Sequence, residues 1–207
     1  MIMGYRIDDD INVIRRRMAV KAEMPVPVGV VGHDPAYRSL NRYDPALANA
    51  LLDRFGYKDR DGDGFRELPD GRPLVLKRGT SPSALERQYD ELWARNMKDV
   101  GIKIEFVTQK WPDLLKMARL GQLQMWQLGN RSTTTEGYGF LGLLYGPNAG
   151  LANLARFKQP SLLKAIDALL NHGVVVGTLS PRCRLERTFA HLAQEGVVLI
   201  LVGSHER

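Results

Sequence analysis

The most direct chemistry in this 207-residue chain lies in the carboxylates between Asp59 and Asp70. Asp59, Asp61, Asp63, Gly64, Glu67 and Asp70 follow the 1, 3, 5, 6, 9, 12 spacing with which an EF-hand-like loop gathers calcium in hard oxygen ligands. Asp59, Asp61 and Asp63 are the candidate metal ligands. An aspartate at the last position is shorter than the usual bidentate glutamate, and Pro69-Asp70-Gly71 reads as a hairpin turn that uses Asp70. These departures argue against a full EF-hand and leave either a structural calcium or a solvated acidic turn, of which the solvated turn is preferred. A second stretch, GNRSTTTEGYGF from Gly129 to Phe140, is dense in hydroxyls and glycine and is bordered by Trp126 and Tyr145. Its groups suit hydrogen bonding, not catalysis.

No catalytic constellation stands beside them. His33, His172, His191 and His205 are far apart in sequence and none sits at a metal-ligand spacing such as HExxH. Cys183 is the single cysteine, which excludes an internal disulfide and a thiolate metal cluster. Gly173 to Gly177 lacks the phosphate-binding fingerprint, and no Walker motif occurs. An enzyme is the weakest class for this chain, with no cofactor expected beyond the calcium alternative.

The elements that must position these residues are well punctuated. Asp44-Pro45 reads as an N-cap with proline at the first helical position, Leu47, Leu51 and Phe55 recur on one face, and Gly56 closes the helix. After the acidic turn, Phe65 to Leu68 and Arg72 to Arg78 read as strands joined by the Pro69-Asp70-Gly71 turn. Ser81-Pro82 opens a helix with apolar spacing at Leu85, Tyr89, Leu92 and Val100, and Gly101 ends it before an alternating strand from Ile102 to Val107. Trp111-Pro112 begins a further helix through Leu120, stopped by Gly121, and Gln122 to Leu128 reads as the next strand. Trp93, Met97 and Met117 lie within helical periodicity and are assigned to packing. Two β-α-β units in series predict an α/β fold with a mostly parallel sheet and flanking helices.

Composition excludes little: 44% hydrophobic and 25% charged residues are ordinary for one globular domain. The formal charge of +6 raises nucleic acid as a partner, but the basic residues are scattered. The one run, Arg15 to Arg17, faces Asp8, Asp9 and Asp10 and reads as a solvated helix face, so no nucleic acid is expected. No apolar run reaches the roughly 18 residues of a membrane span, so no direct membrane insertion is expected. The opening MIMGYRIDDD lacks the apolar segment of a signal peptide.

Taken together, the segment MPVPVGVVGHDP (Met24 to Pro35), the YDPALANALLDRFGY helix, the DGDG turn, the KDVGIKIEF helix end, and the pair WPDLLKMARLGQLQMWQLGN and FLGLLYGP resemble the C-terminal lobe of the family 5 extracellular solute-binding proteins. The resemblance covers roughly residues 4 to 160. It implies a periplasmic binding protein type II-like lobe, reversible capture of a peptide or other small solute between two lobes, and delivery to an ABC transporter permease. It places ligand at strand ends and in the loops after them, with Trp126, Asn130, Arg131, Thr133, Thr134, Glu136 and Tyr138 as candidate contacts. Two positions depart from the peptide-binding pattern. Asn130 stands where relatives carry tryptophan and Thr133 stands near the aspartate that holds a ligand ammonium, leaving Glu136 as the substitute carboxylate.

The resemblance stops after Pro160. Residues 161–207 read as a divergent tail: a helix capped by Ser161, a strand, a helix capped by Ser180 and Pro181, and a final strand at Val197 to Val202, of the kind a frameshift would produce. The expected organisation is thus residues 1–160 as a lobe portion and 161–207 as the tail, a fragment that binds weakly or not at all alone. Intact relatives are periplasmic or cell-surface proteins. The competing expectation is a small calcium-stabilised interaction domain that uses the acidic DGDG turn.

Overall fold

A computed structural model describes residues 1–24, 26–30, 33–39, 42–129 and 137–171 of the chain. Short turns open it: a 3-10 turn Ile2–Gly4, a single α turn α1 (Ile7–Asp9) and a π turn Asp10–Ile14. The regular elements are α2 (Pro45–Arg54), β1 (Val75–Thr80), α3 (Ala84–Lys98), β2 (Lys103–Thr108), α4 (Trp111–Leu120), β3 (Met125–Trp126) and α5 (Pro160–Asn171). The three strands form a parallel sheet in the order β2-β1-β3. Parallel strands need crossovers that cover both faces, and α3 and α4 supply them.

Alternation along β1 assigns the two faces. Leu74 and Leu76 join the core formed by Tyr5, Leu92, Trp93, Met97, Val100 and Ile102, with Ile104, Phe106 and Met125 packed against it. Arg78 and Thr80 continue that face and meet Glu86 and Asp90 of α3. Gly79 points the other way. A Cβ there would lie 3.0 Å from Leu114 Cδ2 and 3.2 Å from Leu123 Cδ1, so glycine at this position lets α4 and the segment after it close on the sheet. A second core joins Met24, Val26, Leu141, Leu144 and Ile166, which brings α5 against the segments on either side of the sheet in sequence.

Helix boundaries follow the residues that cap them. Asp44 accepts the Leu47 N–H at 2.9 Å with Pro45 at the first helical position, and Gly121 takes a left-handed conformation at the end of α4, both as expected. Other boundaries differ. The cap of α3 is Ser83, which accepts the Glu86 N–H at 3.1 Å, so Ser81-Pro82 precedes the helix and Leu85 is exposed. Helix α5 starts at Pro160, which puts Ser161 inside it. The expected strand Phe65 to Leu68 is reduced to isolated antiparallel bridges, Lys58 with Glu67 and Glu67 with Pro73. The expected strand Gln122 to Leu128 pairs only at Met125 and Trp126. A 3-10 helix, Gly137–Leu143, covers the end of the hydroxyl- and glycine-rich stretch and the FLGL that follows. The tail elements beyond α5 lie outside the described residues.

Two side-chain assignments are corrected by packing. Leu47 and Phe55 of α2 are exposed, whereas Ala48 and Leu52 enter the core. The Asp44 N–H bonds the Met3 carbonyl at 2.8 Å, and the N-terminal turns thereby dock on the neighbouring stripe of the helix. Arg15 is not simply solvated: its Nε lies 2.9 Å from Oδ1 of Asp10, a buried carboxylate that also receives the Tyr5 hydroxyl at 3.1 Å.

At the end of the sheet where β2 begins, Arg66 ties three segments together. Its Nε donates to the Val100 carbonyl at 3.0 Å, Nη1 to the Tyr57 carbonyl at 2.6 Å, and Nη2 to Asn49 Oδ1 at 3.1 Å. Its backbone N–H bonds the Gly101 carbonyl at 2.7 Å. Gly101 has φ +70, and a Cβ there would meet Arg66 Cγ at 3.0 Å, so both backbone conformation and space select glycine.

Two stability outcomes follow from this packing. Gly79→Ala is expected to lower unfolding free energy by about 1–3 kcal/mol in urea, because the strand-facing Leu114 is fully buried and has little room to retreat. Burial first, and the Asp10 carboxylate second, push the Tyr5 phenol well above its ordinary 10.0. A folded pKa above the unfolded one means that the folded state holds its proton longer, so this stability is complete below pH 10 and is lost as pH rises beyond it. Tyr5→Phe is expected to flatten the fall of the urea midpoint measured above that pH.

Candidate functional site

The C-terminal ends of the three parallel strands bring together residues from both faces of the sheet. On the α3 face, Arg78 is 1% exposed, and a buried guanidinium needs acceptors for its charge and its donors. Nη1 bonds Asp90 Oδ1, while Nη2 reaches Glu86 Oε2 at 3.3 Å and Gln127 Oε1 at 3.1 Å. The Thr80 hydroxyl donates to the second oxygen of Asp90 at 2.8 Å. Glu86 and Asp90 are one helical turn apart, so one face of α3 presents both carboxylates to the strand. Burial pushes the Asp90 carboxyl above the ordinary range, against the opposing pull of the Thr80 hydroxyl and the Arg78 guanidinium. The pair is therefore held close to the point where desolvation offsets attraction.

On the α4 face stand two indoles. Trp111 opens α4, Trp126 ends β3 opposite Gly79 in register, and their rings lie 6.4 Å apart at an interplanar angle of 54°. Trp111 is 52% exposed and Trp126 half-buried. The Gln109 N–H bonds the Thr80 carbonyl at 3.0 Å, fixing the turn into α4 against the end of β1. Gln124 Oε1 accepts the Lys77 N–H at 2.8 Å and holds the approach to β3.

Of the expected solute contacts, Trp126 sits at this edge and Tyr138 lies in the 3-10 helix Gly137–Leu143. Asn130, Arg131, Thr133, Thr134 and Glu136 lie outside the described residues. Sequence reading missed Arg78, Thr80, Glu86, Asp90, Gln127 and Trp111 as a group. The available signal was the alternation itself: Leu74, Leu76, Arg78 and Thr80 share one face, so a cation and a hydroxyl continue an apolar stripe that a helix must cover.

The carboxylates of the acidic turn accept several of its own amides. Asp59 accepts the N–H groups of Gly62 at 2.7 Å and Gly64 at 2.9 Å, Asp61 accepts that of Asp63, and Asp63 accepts that of Phe65 at 2.7 Å. Glu67 accepts the Arg60 N–H at 2.7 Å, and Asp70 pairs with Arg72 at 2.7 Å. Carboxylate oxygens of Asp59, Asp61 and Glu67 lie within 4.8 Å of one another, whereas Asp63 stands outside that group. Such bonds are the ones with which aspartates organise a tight turn. Beside the turn, Asn49, Asp53, Lys58, Arg66 and Lys98 line an open polar hollow of about 670 Å³, but the Arg66 donors on its floor are already committed to backbone and side-chain oxygens.

Comparison with known proteins agrees with this architecture. Residues 9–151 match the family described as bacterial extracellular solute-binding proteins, family 5 Middle. Heme-binding protein A of Haemophilus influenzae is 26% identical over 186 residues, a stretch covering 88% of this chain and 32% of that protein. The chain thus spans about a third of the curated relative it matches. The oligopeptide-binding protein AppA of Bacillus subtilis, solved with a nonapeptide, superposes with a TM-score of 0.80 at 13% identity, covering 94% of this chain and 38% of that one. NikA of Brucella suis, solved with Fe(III)-EDTA, gives 0.77 at 19% identity over 98% of this chain and 41% of that one. A periplasmic oligopeptide-binding protein of Thermotoga maritima, solved with mannohexaose, gives 0.76 at 18% identity over 94% of this chain and 37% of that one. These structures are type II periplasmic binding proteins, with the same α/β architecture.

The buried ion pair makes a direct test of the edge. Asp90→Ala leaves the Arg78 charge without its shortest partner, and a loss of about 3–5 kcal/mol in urea unfolding is expected. Replacing both, Arg78→Met with Asp90→Leu, is expected to cost less than Asp90→Ala alone, since no charge is then left buried.

Proposed function

The chain belongs to the bacterial extracellular solute-binding proteins of family 5, and from that premise we propose that it supplies one wall of a solute-binding cleft serving ABC-transporter uptake. The observation that carries this reading is the edge where the parallel strand ends bring Gln127 and Trp126 near Trp111, with the hydroxyl-rich segment following in sequence from Gly129. Ligands of open parallel sheets bind outside the carboxyl ends of the strands, where backbone groups and loop side chains converge. The chemistry is reversible binding.

The solute class is a peptide or a related small molecule. The proposed contacts are Trp126, Asn130, Arg131, Thr133, Thr134, Glu136 and Tyr138. Glu136 takes the place of the aspartate that peptide-binding members use for the ligand ammonium. Relatives solved with a nonapeptide, mannohexaose or Fe(III)-EDTA keep the solute class broader than peptides alone. The rest of the cleft would come from the other two-thirds of a protein of the relative's size, and the loaded protein would pass its solute to a permease in the cytoplasmic membrane.

A cleft buries most of its ligand only when both walls are present. Isothermal calorimetry of this chain with short peptides is therefore expected to show binding no tighter than about 1 mM, which corresponds to only about 4 kcal/mol. A full-length protein carrying this segment is expected to bind the same peptides much more tightly, and to lose about tenfold or more on Glu136→Gln, since hydrogen bonds to charged groups are worth about 1.5–3 kcal/mol. A tight one-to-one complex with the isolated chain would refute the one-wall reading.

A further inference from the structure

The two hydrophobic cores share no member among the described residues. The first lies between α3 and the sheet, and the second gathers Met24, Val26, Leu141, Leu144 and Ile166, with Tyr145 and Phe157 packed against it. Cores that are built separately open separately unless something couples them. The loop 146–157 runs from the second core to the carboxyl end of α4. Because α4 leads from the end of β2 to the start of β3, this meeting point lies at the amino-terminal end of the parallel sheet.

The last turn of α4 needs a donor there. The Gly121 and Gln122 N–H groups satisfy the Ala118 and Met117 carbonyls at 3.0 and 2.9 Å, and the Arg119 carbonyl accepts from Nη2 of Arg156. A cation at this position also meets the negative end of the helix dipole. The surrounding backbone is shaped to admit it. Gly121 and Gly150 have φ +73 and +83; a Cβ at Gly121 would lie 2.7 Å from Arg156 Nε, and one at Gly150 would lie 3.2 Å from the Arg119 carbonyl oxygen. Arg156 itself takes φ 55, a left-handed conformation that a residue with a side chain seldom adopts. Asn153, fully buried, holds it there: Nδ2 donates to the Tyr145 and Phe157 carbonyls at 3.1 and 2.8 Å, and Oδ1 accepts the Phe157 N–H at 3.0 Å. Arg156 is thus carried on a loop pinned to the second core on both sides.

We propose that the loop 146–157 is a clasp: Asn153 locks it to the second core and Arg156 closes it on α4, so the second core resists opening as long as the Arg156 bond is made. The consequence reaches along the chain. The 3-10 helix Gly137–Leu143 enters the second core through Leu141 and follows the segment from Gly129 in sequence. The clasp therefore sets how firmly the chain beyond that segment is anchored. Removing it frees the second core to open by itself while the sheet stays folded. The clasp goes beyond the solute-binding reading and stands without it.

Amide hydrogen exchange of the full 15N-labelled chain, followed by NMR, reads the two cores separately. Leu144 and Leu163 report the second core through N–H bonds to the Leu141 and Gln159 carbonyls, and Ile102 reports the first through its bond to the Met97 carbonyl. Arg156→Ala is expected to speed exchange at Leu144 and Leu163 by about five- to tenfold, the loss of one exposed hydrogen bond, and to leave Ile102 at its original rate. Arg156→Lys keeps a charged donor under the same backbone constraint and is expected to recover part of the difference. Trp93, Trp111 and Trp126 belong to the first core and its sheet, so the urea midpoint read from their fluorescence is expected to hold in both variants. Equal acceleration at Ile102 with a lowered urea midpoint would make the chain one cooperative unit and overturn the clasp. Unchanged exchange at Leu144 and Leu163 in Arg156→Ala would overturn it as well.

Discussion

A guanidinium buried between a strand and a helix sets the terms for the rest of this sheet. Arg78 occupies a face that Leu74 and Leu76 make apolar, and its charge is tolerable there only with carboxylates in contact. That requirement fixes which residues α3 must present, Glu86 and Asp90, and therefore how the helix is rotated about its axis. The same guanidinium bonds Gln127, so the position of the third strand depends on it as well. A strand of two paired residues has few ladder bonds of its own, and side-chain ties such as this one and the Gln124 bond to Lys77 hold it in register.

Arg66 answers the corresponding problem at the opposite end. The helix termini and turn there leave carbonyls at Tyr57 and Val100 that need donors, and one planar side chain reaches both. Gly101 completes the arrangement by leaving room for the Arg66 stem. Two arginines thus divide the work. One closes the amino-terminal end of the sheet around α2 and the acidic hairpin; the other organises the carboxyl end. The carboxylates that look most reactive in the sequence, those of the DGDG turn, are spent on the turn's own amides.

Sequence alone reached the order of elements and most helix limits because those depend on short-range signals. Asp44-Pro45, Trp111-Pro112 and Gly121 act within a turn of themselves, and the β-α-β succession follows from them. It failed where the deciding partner is distant. The choice between the Leu47 and Ala48 stripes of α2 is made by a bond to Met3, some forty residues away, which no periodicity contains. The cap at Ser83 was readable, since Ser83 and Glu86 have the spacing of a capping box, but the neighbouring Ser81-Pro82 carried an equally familiar signal. Arg78 illustrates the harder case. A basic residue at a strand end reads as solvated until its helix partners are known, because burial of charge is decided by the complement and not by the residue.

This division between committed and uncommitted polar groups bears on how such an edge binds. Arg78 is paired with both Asp90 and Glu86, so its positive charge is committed within the wall and not offered to a ligand. Among the described residues, what the edge presents outward is an exposed indole and a half-buried one. Contacts of that kind are individually weak, and their value depends on being held in place before the ligand arrives, since ordering side chains on binding subtracts from affinity. Under the proposed one-wall reading, the buried ion network would provide that fixity without itself entering the contact.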